Sequence, residues 1–303
     1  MRLRRRDVLV GGVTLLGCTT RSNPIDARAV SQVVPAMPTI DGAGVRLHRA
    51  LGSRALPLLD PFLLFDEFQS DDPADYLAGF PQHPHRGFET VTYMVHGAME
   101  HRDSVGNAGR LRPGSAQWMT AGHGIVHSEM PKQESGLMWG YQLWVNLPRA
   151  RKLIAPRYQD LAPETIPEVT RADGSQLRVV AGKTAEATGP VTGIDVDPLF
   201  LDVTLGKGAE LRQPIPVGHT CFLLAIDGAV RVGTTEVRAG SLAVLQGGSM
   251  AQAHGVEGGG RALLLAGRPL NEPVARSGPF VMNTEDELAQ AWADYRAGVL
   301  TRG

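Results

Sequence analysis

The segment from Phe80 to Gly97 reads FPQHPHRGFETVTYMVHG. Two histidines stand two residues apart, and a run rich in apolar and β-branched residues follows them and ends at a glycine. Such a run is typical of a β-strand, and the glycine is typical of a tight turn. Residues i and i+2 of a strand point to one face, roughly 6.6 Å apart along it. His83 and His85 are therefore candidates to bind a single metal ion, the alternative being two polar residues that open a strand.

A second pair with the same spacing follows about 40 residues later, in His127-Ser128-Glu129. Either pair alone could be a surface or hydrogen-bonded pair, but two pairs on strands of one barrel favour a metal site. Three imidazoles and one carboxylate would leave open positions on an octahedral ion, which suits Fe(II) and oxygen chemistry. The residue types do not fix the metal, so Zn, Mn, Ni and Cu stay open.

The length and composition restrict the class of protein. A chain of 303 residues is long enough for two domains, and 36 glycines with 21 prolines predict many turns and a β-rich fold. The net charge is −1, and no basic block follows residue 6, so direct binding to nucleic acid is not expected. The two cysteines, Cys18 and Cys221, do not predict a structural disulfide.

Two parts of the sequence resemble each other. The segment Tyr93–Met99 is followed by Leu111–Ser115, and the segment Leu224–Val230 is followed by Val237–Ser241. Each copy reads as an apolar strand, a glycine turn, a second strand and a further glycine turn. The repeat predicts an all-β fold of two tandem jelly-roll β-barrel domains. A capping box at Thr284 to Glu287 adds a short C-terminal helix, which we expect to pack on a barrel.

The first 18 residues have the pattern of an export signal. A basic start precedes a short apolar run, Arg5-Arg6-Asp7-Val8-Leu9 resembles a twin-arginine signal, and Leu15 to Cys18 resembles a lipobox. We expect a periplasmic or cell-envelope lipoprotein, attached to the membrane only through a lipid anchor at Cys18. The alternative is a cytoplasmic protein with a disordered basic tail.

These patterns divide the chain into four parts. We expect an export signal over 1–18, a tether over 19–38, an N-terminal metal-binding barrel over 39–148 and a C-terminal metal-free barrel over 149–303. A segment rich in proline and charge, 146–160, is expected to join the barrels. We expect the protein to be a monomer.

The sequence around both histidine pairs resembles the pirin family, bicupin proteins of the cupin superfamily. The resemblance begins at PQHPHRGFETVTYMVHG and continues through GHGIVHSEMP and WGYQLWVNL. It resumes at NEPV and GPFVMNT, and it covers the chain from about residue 40 to 300. It implies two tandem cupin domains, with one non-haem iron in the first.

By position, the resemblance implies that His83, His85, His127 and Glu129 are the metal ligands. The general cupin pattern would instead offer Glu89, because HPHRGFE fits histidine, any residue, histidine, three residues and glutamate. The other interpretations of Glu89 are an ion pair with Arg86 or an acceptor that orients a histidine.

The family resemblance implies a metal-dependent dioxygenase acting on a flavonol such as quercetin, or a related phenolic. Such an enzyme opens the ring with O₂ and releases carbon monoxide, and Glu129 would be the catalytic residue that assists deprotonation. The rival function is a non-catalytic, metal- or redox-responsive binding or regulatory cupin. An exported protein would not reach a transcription factor, which weakens the regulatory version.

Several further residues are open to two interpretations. His123 could face the cavity mouth and contact substrate. Four more side chains could line an apolar pocket over the metal, although core packing is the stronger expectation for them: Trp118, Met119, Met130 and Trp139. His96 and His101 flank a hairpin and are expected to be solvated.

The second half of the chain serves as a control for the metal prediction. Counting from the aligned strands, Val95 and Ile226, places Pro214 and Pro216 where His83 and His85 stand. Proline offers no side-chain ligand, and His254 is expected to be a surface turn histidine, so the second barrel is predicted to bind no metal.

Overall fold

The computed structural model describes residues 26–302, which form β-strands with one α-helix near the end of the chain. The export signal predicted at 1–18, with Cys18, and the start of the predicted tether lie outside the described residues. Within the described part, no helix is both long and apolar enough to span a membrane.

The strands of the first half are β1 (Ala29–Pro35), β2 (Met37–Asp41), β3 (Val45–Leu51), β4 (Phe62–Ser70), β5 (Phe80–His85), β6 (Phe88–His96), β7 (Met99–Asp103), β8 (Ala108–Leu111), β9 (Ala116–Thr120), β10 (Ile125–Pro131), β11 (Met138–Asn146) and β12 (Arg157–Leu161). Those of the second half are β13 (Glu168–Thr170), β14 (Gln176–Ala181), β15 (Leu199–Leu205), β16 (Glu210–Pro214), β17 (Thr220–Val232), β18 (Thr235–Arg238), β19 (Ser241–Gln246), β20 (Met250–Gly267), β21 (Ala275–Ser277) and β22 (Phe280–Met282). Helix α1 spans Glu285–Arg296, and short 3-10 helices span Pro73–Asp75, Arg149–Arg151 and Pro163–Thr165.

Two antiparallel barrels form the body of the molecule. The first faces a seven-stranded sheet, in the order β12-β9-β6-β11-β4-β3-β2, against a four-stranded sheet, β5-β10-β7-β8. The second is built from one nine-stranded sheet, in which β1-β19-β17-β20-β15-β14-β13 is extended by β16 on β20 and β18 on β17. The predicted all-β fold, with two tandem barrels and a short C-terminal helix, is confirmed.

The first glycine of each repeat copy has a left-handed backbone, but only Gly97 forms the predicted turn between two strands. Gly97 follows β6 with φ at +81°, and a Cβ there would lie 2.4 Å from the side-chain oxygen of Gln133. Gly228 lies within β17 with φ at +59°, and a Cβ there would lie 2.6 Å from the carbonyl oxygen of Gly259. Left-handed backbone and close approach together exclude larger residues.

The tether predicted over 19–38 is wrong from Ala29 onward. Strand β1 pairs antiparallel with β19 of the second barrel, with Val34 opposite Leu242. Strand β2 then forms the edge of the seven-stranded sheet of the first barrel. The partner of β1 lies about 200 residues away in sequence, so local composition could not indicate the pairing.

The join predicted over 146–160 is also partly wrong. Strand β12 (Arg157–Leu161) pairs with β9 across Tyr158 and Met119 and so belongs to the first barrel. The boundary expected between 148 and 149 therefore falls before the last strand of that barrel. Strand β12 is short, polar and flanked by Pro156 and Pro163, so its sequence resembles a linker although it completes a sheet.

The C-terminal segment returns to the first barrel. Helix α1 begins with the predicted capping box, since the Thr284 side chain accepts from the Glu287 amide and the Glu287 carboxylate accepts from the Thr284 amide. The Asp294 carboxylate accepts from the Arg86 guanidinium at 2.7 Å. The Lys152 ammonium, almost fully buried, donates to the carbonyl oxygens of Gly87 and Val281 and to the side chain of Asn146. These contacts attach the end of the chain beside the histidine strands.

A shared hydrophobic core joins the two barrels. Phe62 of the first barrel packs edge-on against Phe222 of the second, with ring centroids 5.2 Å apart. The Tyr93 hydroxyl donates to Asp202 at 2.6 Å across the same contact. The interface is therefore built like a domain interior, which holds the first barrel in a fixed relation to the second.

Candidate metal centre

The predicted histidine pairs lie on two neighbouring strands of the first barrel. Strand β5 runs antiparallel to β10, and His83 stands directly opposite His127. Because the side chains of one strand alternate between faces, His85 points to the same face as His83. The register therefore brings all three imidazoles together inside the barrel.

The three rings form a compact cluster. One ring nitrogen from each of His83, His85 and His127 lies within 4.8 Å of the other two. The Nε2 atoms of His83 and His85 are 3.0 Å apart, and the ring centroids of His83 and His127 are 4.4 Å apart. No other group of three or more ligand-type side chains this close occurs within residues 26–302.

Backbone carbonyls orient two of the rings. The Nδ1 atom of His83 lies 2.8 Å from the carbonyl oxygen of Pro81, and that of His85 lies 3.3 Å from the carbonyl oxygen of Pro279. A carbonyl accepts a hydrogen bond, so it favours the tautomer with a proton on Nδ1 and a lone pair on Nε2. Both Nε2 lone pairs then point into the cluster, as a metal requires.

His127 provides the strongest sign that the cluster fits a metal ion. Its side chain is 1% exposed, and neither ring nitrogen has a hydrogen-bond partner among the described residues. Buried polar atoms normally find a partner, so an orphaned imidazole between two others indicates a missing ligand. Burial, reinforced by the neighbouring imidazoles, lowers the pKa of both His85 and His127 well below the usual value. The neutral, metal-binding form therefore predominates at pH 7.

Glu129 lies beside the cluster but outside its tightest part. Its carboxylate accepts from the Thr92 hydroxyl at 2.8 Å and from the Gln142 amide at 3.2 Å. It lines the same cavity as His83 and His85, yet its oxygens are not within 4.8 Å of all three imidazoles. The pairing register between β5 and β10 shifts by one residue between His127 and Glu129. The structure therefore places the three histidines in one cluster and the Glu129 carboxylate at the edge of that cluster.

Glu89 points away from the histidines. Its carboxylate accepts from Trp118 Nε1 at 3.1 Å and from the Thr120 hydroxyl at 2.6 Å. It lies on the face of β6 opposite to Thr92, which contacts Glu129. Glu89 therefore does not lie with the three histidines, and of its other interpretations the ion pair with Arg86 is not formed, because Arg86 pairs with Asp294.

The buried carboxyl of Glu89 should make stability depend on pH. Burial raises its pKa from 4.5 to about 7. The folded state therefore holds a proton that the unfolded state releases, and stability is lost as pH rises from about 4.5 through about 7. The free energy of unfolding should fall by roughly 3 kcal/mol over this range because of the raised pKa of Glu89. In urea titrations at pH 5 and 8, Glu89→Gln should remove that part of the pH dependence, whereas the exposed control Glu134→Gln should keep it. Equal pH dependence in both variants would refute this assignment.

A cavity of about 550 Å³ opens beside the histidines. Its walls combine the candidate ligands with aromatic and aliphatic side chains, including Leu64, Phe68, Phe80, Met99 and Trp144. The Trp144 ring lies 5.3 Å from the His85 ring, and the Arg276 guanidinium lies 4.4 Å above the Trp144 ring. A site of this size and apolar character is typical of a small-molecule pocket.

The side chains considered for an apolar pocket lie elsewhere. Trp118, Met119, Met130 and Trp139 are absent from the cavity wall, and Trp118 and Met119 are packed in the core, which was the stronger expectation. His123 does not line the cavity either. Trp144, Gln142 and Arg276, which do line it, were missed, because nothing in their local sequence marks them.

The two hairpin histidines have different surroundings. His96 is exposed, as expected. His101 is 1% exposed and stacks on Tyr158 at 5.0 Å, so its predicted solvation is wrong. It stands opposite Glu129 on the neighbouring strand, and its ring nitrogens contact the side-chain amide of Gln117. The hairpin extends further into the barrel than the sequence suggested.

Strands β16 and β20 of the second barrel bury mostly aliphatic side chains. On β16 and β20 the buried, facing pairs are Leu211 with Ala253 and Gln213 with Ala251. Pro214, which the sequence comparison placed at the position of His83, is exposed. His254 lies within strand β20 and not in a turn. Leu211 and Ala253 have no atom that could bind a metal.

Comparison with known proteins agrees with this architecture. The sequence pattern of the Pirin family matches residues 44–145, and that of the Pirin C-terminal cupin domain matches residues 200–301. A pirin-like protein of Caulobacter vibrioides is 47% identical over 272 residues, covering 89% of this chain and 98% of that protein. Human pirin is 44% identical, covering 84% of this chain and 88% of its own length.

A solved structure shows the same fold along almost the whole chain. The crystal structure of a quercetin 2,3-dioxygenase from Acinetobacter baumannii superposes with a TM-score of 0.84 at 34% identity. The match covers 91% of this chain and 99% of that one. Two family patterns, close relatives and a shared bicupin fold lead to one conclusion: the chain belongs to the pirin family.

Proposed function

We propose that this protein binds one divalent metal ion through His83, His85, His127 and Glu129 and oxidises a flavonol or related phenolic with O₂. The observation that carries the proposal is the buried His127 imidazole, with both nitrogens orphaned among the described residues, next to two imidazoles facing a cavity. The similarity to a solved quercetin 2,3-dioxygenase supports the choice of reaction and substrate.

The three histidines would hold the ion by their neutral nitrogens. Pro81 and Pro279 fix the orientation of two rings, so little reorganisation is needed at those positions. Glu129 would complete the set as the single anionic ligand, after rotating away from Thr92 or Gln142. A divalent ion bound there would supply Lewis acidity and open coordination positions. We propose Fe(II) as the native metal; zinc, manganese, nickel and copper fit the same donors.

Glu129 has a second role in this proposal. Its carboxylate faces the cavity beside the histidines and can accept a proton from a phenolic hydroxyl group. Whichever of its two hydrogen bonds is kept, from the Thr92 hydroxyl or from the Gln142 amide, would orient it in the metal-bound site. The apolar cavity walls around Trp144 and Phe68 would exclude water and receive a planar ring.

The experiment that tests this function uses quercetin with protein loaded separately with iron, nickel, copper and manganese. The absorption band of quercetin should shift on mixing, because its hydroxyl groups lose protons in the site. With O₂ present the shifted band should decay over many turnovers, with oxygen uptake and release of carbon monoxide. The metal-free protein should do neither.

The rival function, a metal- or redox-responsive binding protein, makes a different prediction in the same experiment. It would show the spectral shift without decay for every metal and for several flavonols. A thiol switch is disfavoured within residues 26–302, because burial raises the pKa of their single cysteine, Cys221, to about 12. Absence of any shift would mean that the substrate class is wrong.

A further inference from the structure

Arg276 stands at the rim of the cavity, on a segment distant in sequence from the histidines. It lies in β21, which the C-terminal segment brings back to the first barrel. Its guanidinium carbon lies 4.4 Å from the centroid of the Trp144 ring, and Trp144 in turn packs on His85 at 5.3 Å. One indole therefore connects the arginine with a candidate metal ligand.

The charge of Arg276 has no direct partner within residues 26–302. Its side chain makes no hydrogen bond and no ion pair there, although two carboxylates, Asp41 and Asp66, line the same cavity. Arg49 occupies both of them: it donates to the two oxygens of Asp66 at 2.7 and 2.6 Å and to Asp41 at 3.0 Å. Asp66 is fully engaged, which leaves the neighbouring guanidinium to interact with something else.

Stacking on an aromatic ring fixes the plane of a guanidinium and leaves its N–H edge available. That edge matches a carboxylate in bidentate geometry. We propose that Arg276 is a specificity-determining residue, which binds the carboxylate of an aromatic substrate whose vicinal hydroxyls face His83, His85 and Glu129. The preferred substrate class is thus a carboxylated phenolic. This inference rests on the proposed function for the position of the hydroxyls.

The test compares two ligands that differ only in the carboxylate, 3,4-dihydroxybenzoate and catechol. Isothermal titration at pH 7 uses zinc-loaded protein, in which no oxidation interferes. The unsubstituted protein should bind 3,4-dihydroxybenzoate about 10- to 100-fold more tightly than catechol, from one charge-assisted bidentate contact. Arg276→Gln should abolish this preference and leave catechol binding within about twofold.

A matched control is Arg46→Gln. Arg46 is an exposed arginine that pairs with Asp75 and does not line the cavity, so its substitution should preserve the preference. Benzoate, which lacks the vicinal hydroxyls, should bind weakly to the unsubstituted protein and not to Arg276→Gln. The benzoate comparison therefore tests carboxylate binding by Arg276 even if catechol does not bind.

The outcomes separate this inference from the proposed function. A preference that survives in Arg276→Gln, or is equally lost in Arg46→Gln, would overturn the role of Arg276. A preference that depends on Arg276, combined with no oxygen uptake by the iron-loaded protein, would support the subsite and refute the oxidation.

Discussion

His127→Ala should yield a folded protein that has lost its metal. The imidazole lies between His83 and His85 and makes no hydrogen bond within the described residues, so its removal costs the fold little polar contact. The loss of one ligand should weaken metal affinity by at least about 100-fold, since changes to groups that only orient ligands already cost 10- to 100-fold. Elemental analysis after dialysis measures this directly, and His85→Ala should behave alike.

Two control variants make the result specific. His96→Ala removes an exposed histidine of the same barrel, and Glu89→Gln changes the carboxylate that the general cupin pattern would have chosen. Both should retain one ion per chain. Undiminished metal in both His85→Ala and His127→Ala would refute the site. An empty site in Glu89→Gln alone would favour the general cupin pattern.

Glu129→Gln should reduce turnover more than it reduces metal content. The amide keeps the size of the side chain and can still contact Thr92, but it lacks the negative charge and cannot accept a proton. Loss of a positioned base lowers the rate by about 10²- to 10⁴-fold. The measurement is oxygen uptake with quercetin per bound iron, so that partial metal loss does not count as lost catalysis.

The control for this variant is Glu134→Gln, which neutralises an exposed glutamate outside the cavity wall. Its turnover should equal that of the unsubstituted protein. If Glu129→Gln turned over at an unchanged rate per bound iron, Glu129 would not be the base, and an unchanged iron content would show that it is not an essential ligand. Quercetin binding should also weaken in this variant if the carboxylate accepts a hydroxyl proton.

The histidine cluster could be predicted because the spacing of each pair is visible within three consecutive residues. Two residues separated by one on a strand share a face wherever the strand is placed, so HPH and HSE each specify half of a site. The turn at Gly97 could be predicted in the same way, whereas the turn expected at Gly228 was wrong, because β17 continues through that residue. We combined the two pairs into one site because we expected both strands to belong to one barrel. The pairing of His83 with His127 confirms this expectation.

The remaining parts of the site depend on register and long-range pairing. The pairing register of β5 and β10 shifts between His127 and Glu129, which moves the Glu129 carboxylate relative to the histidines. No pattern in the sequence indicates this register shift. Trp144 and Arg276 reach the cavity from strands about 60 and 190 residues after His85. In the second barrel, Leu211 and Gln213 of β16 face Ala253 and Ala251 of β20, and their own sequence did not indicate this pairing.

Anomalous diffraction would show whether His83, His85, His127 and Glu129 bind one ion together. Crystals of the iron-loaded protein, measured above and below the iron absorption edge, should show a single anomalous peak per chain. The peak should lie about 2.0–2.2 Å from one nitrogen each of His83, His85 and His127 and from a carboxylate oxygen of Glu129. A peak elsewhere, or one held by the histidines while Glu129 stays bonded to both Thr92 and Gln142, would contradict the account.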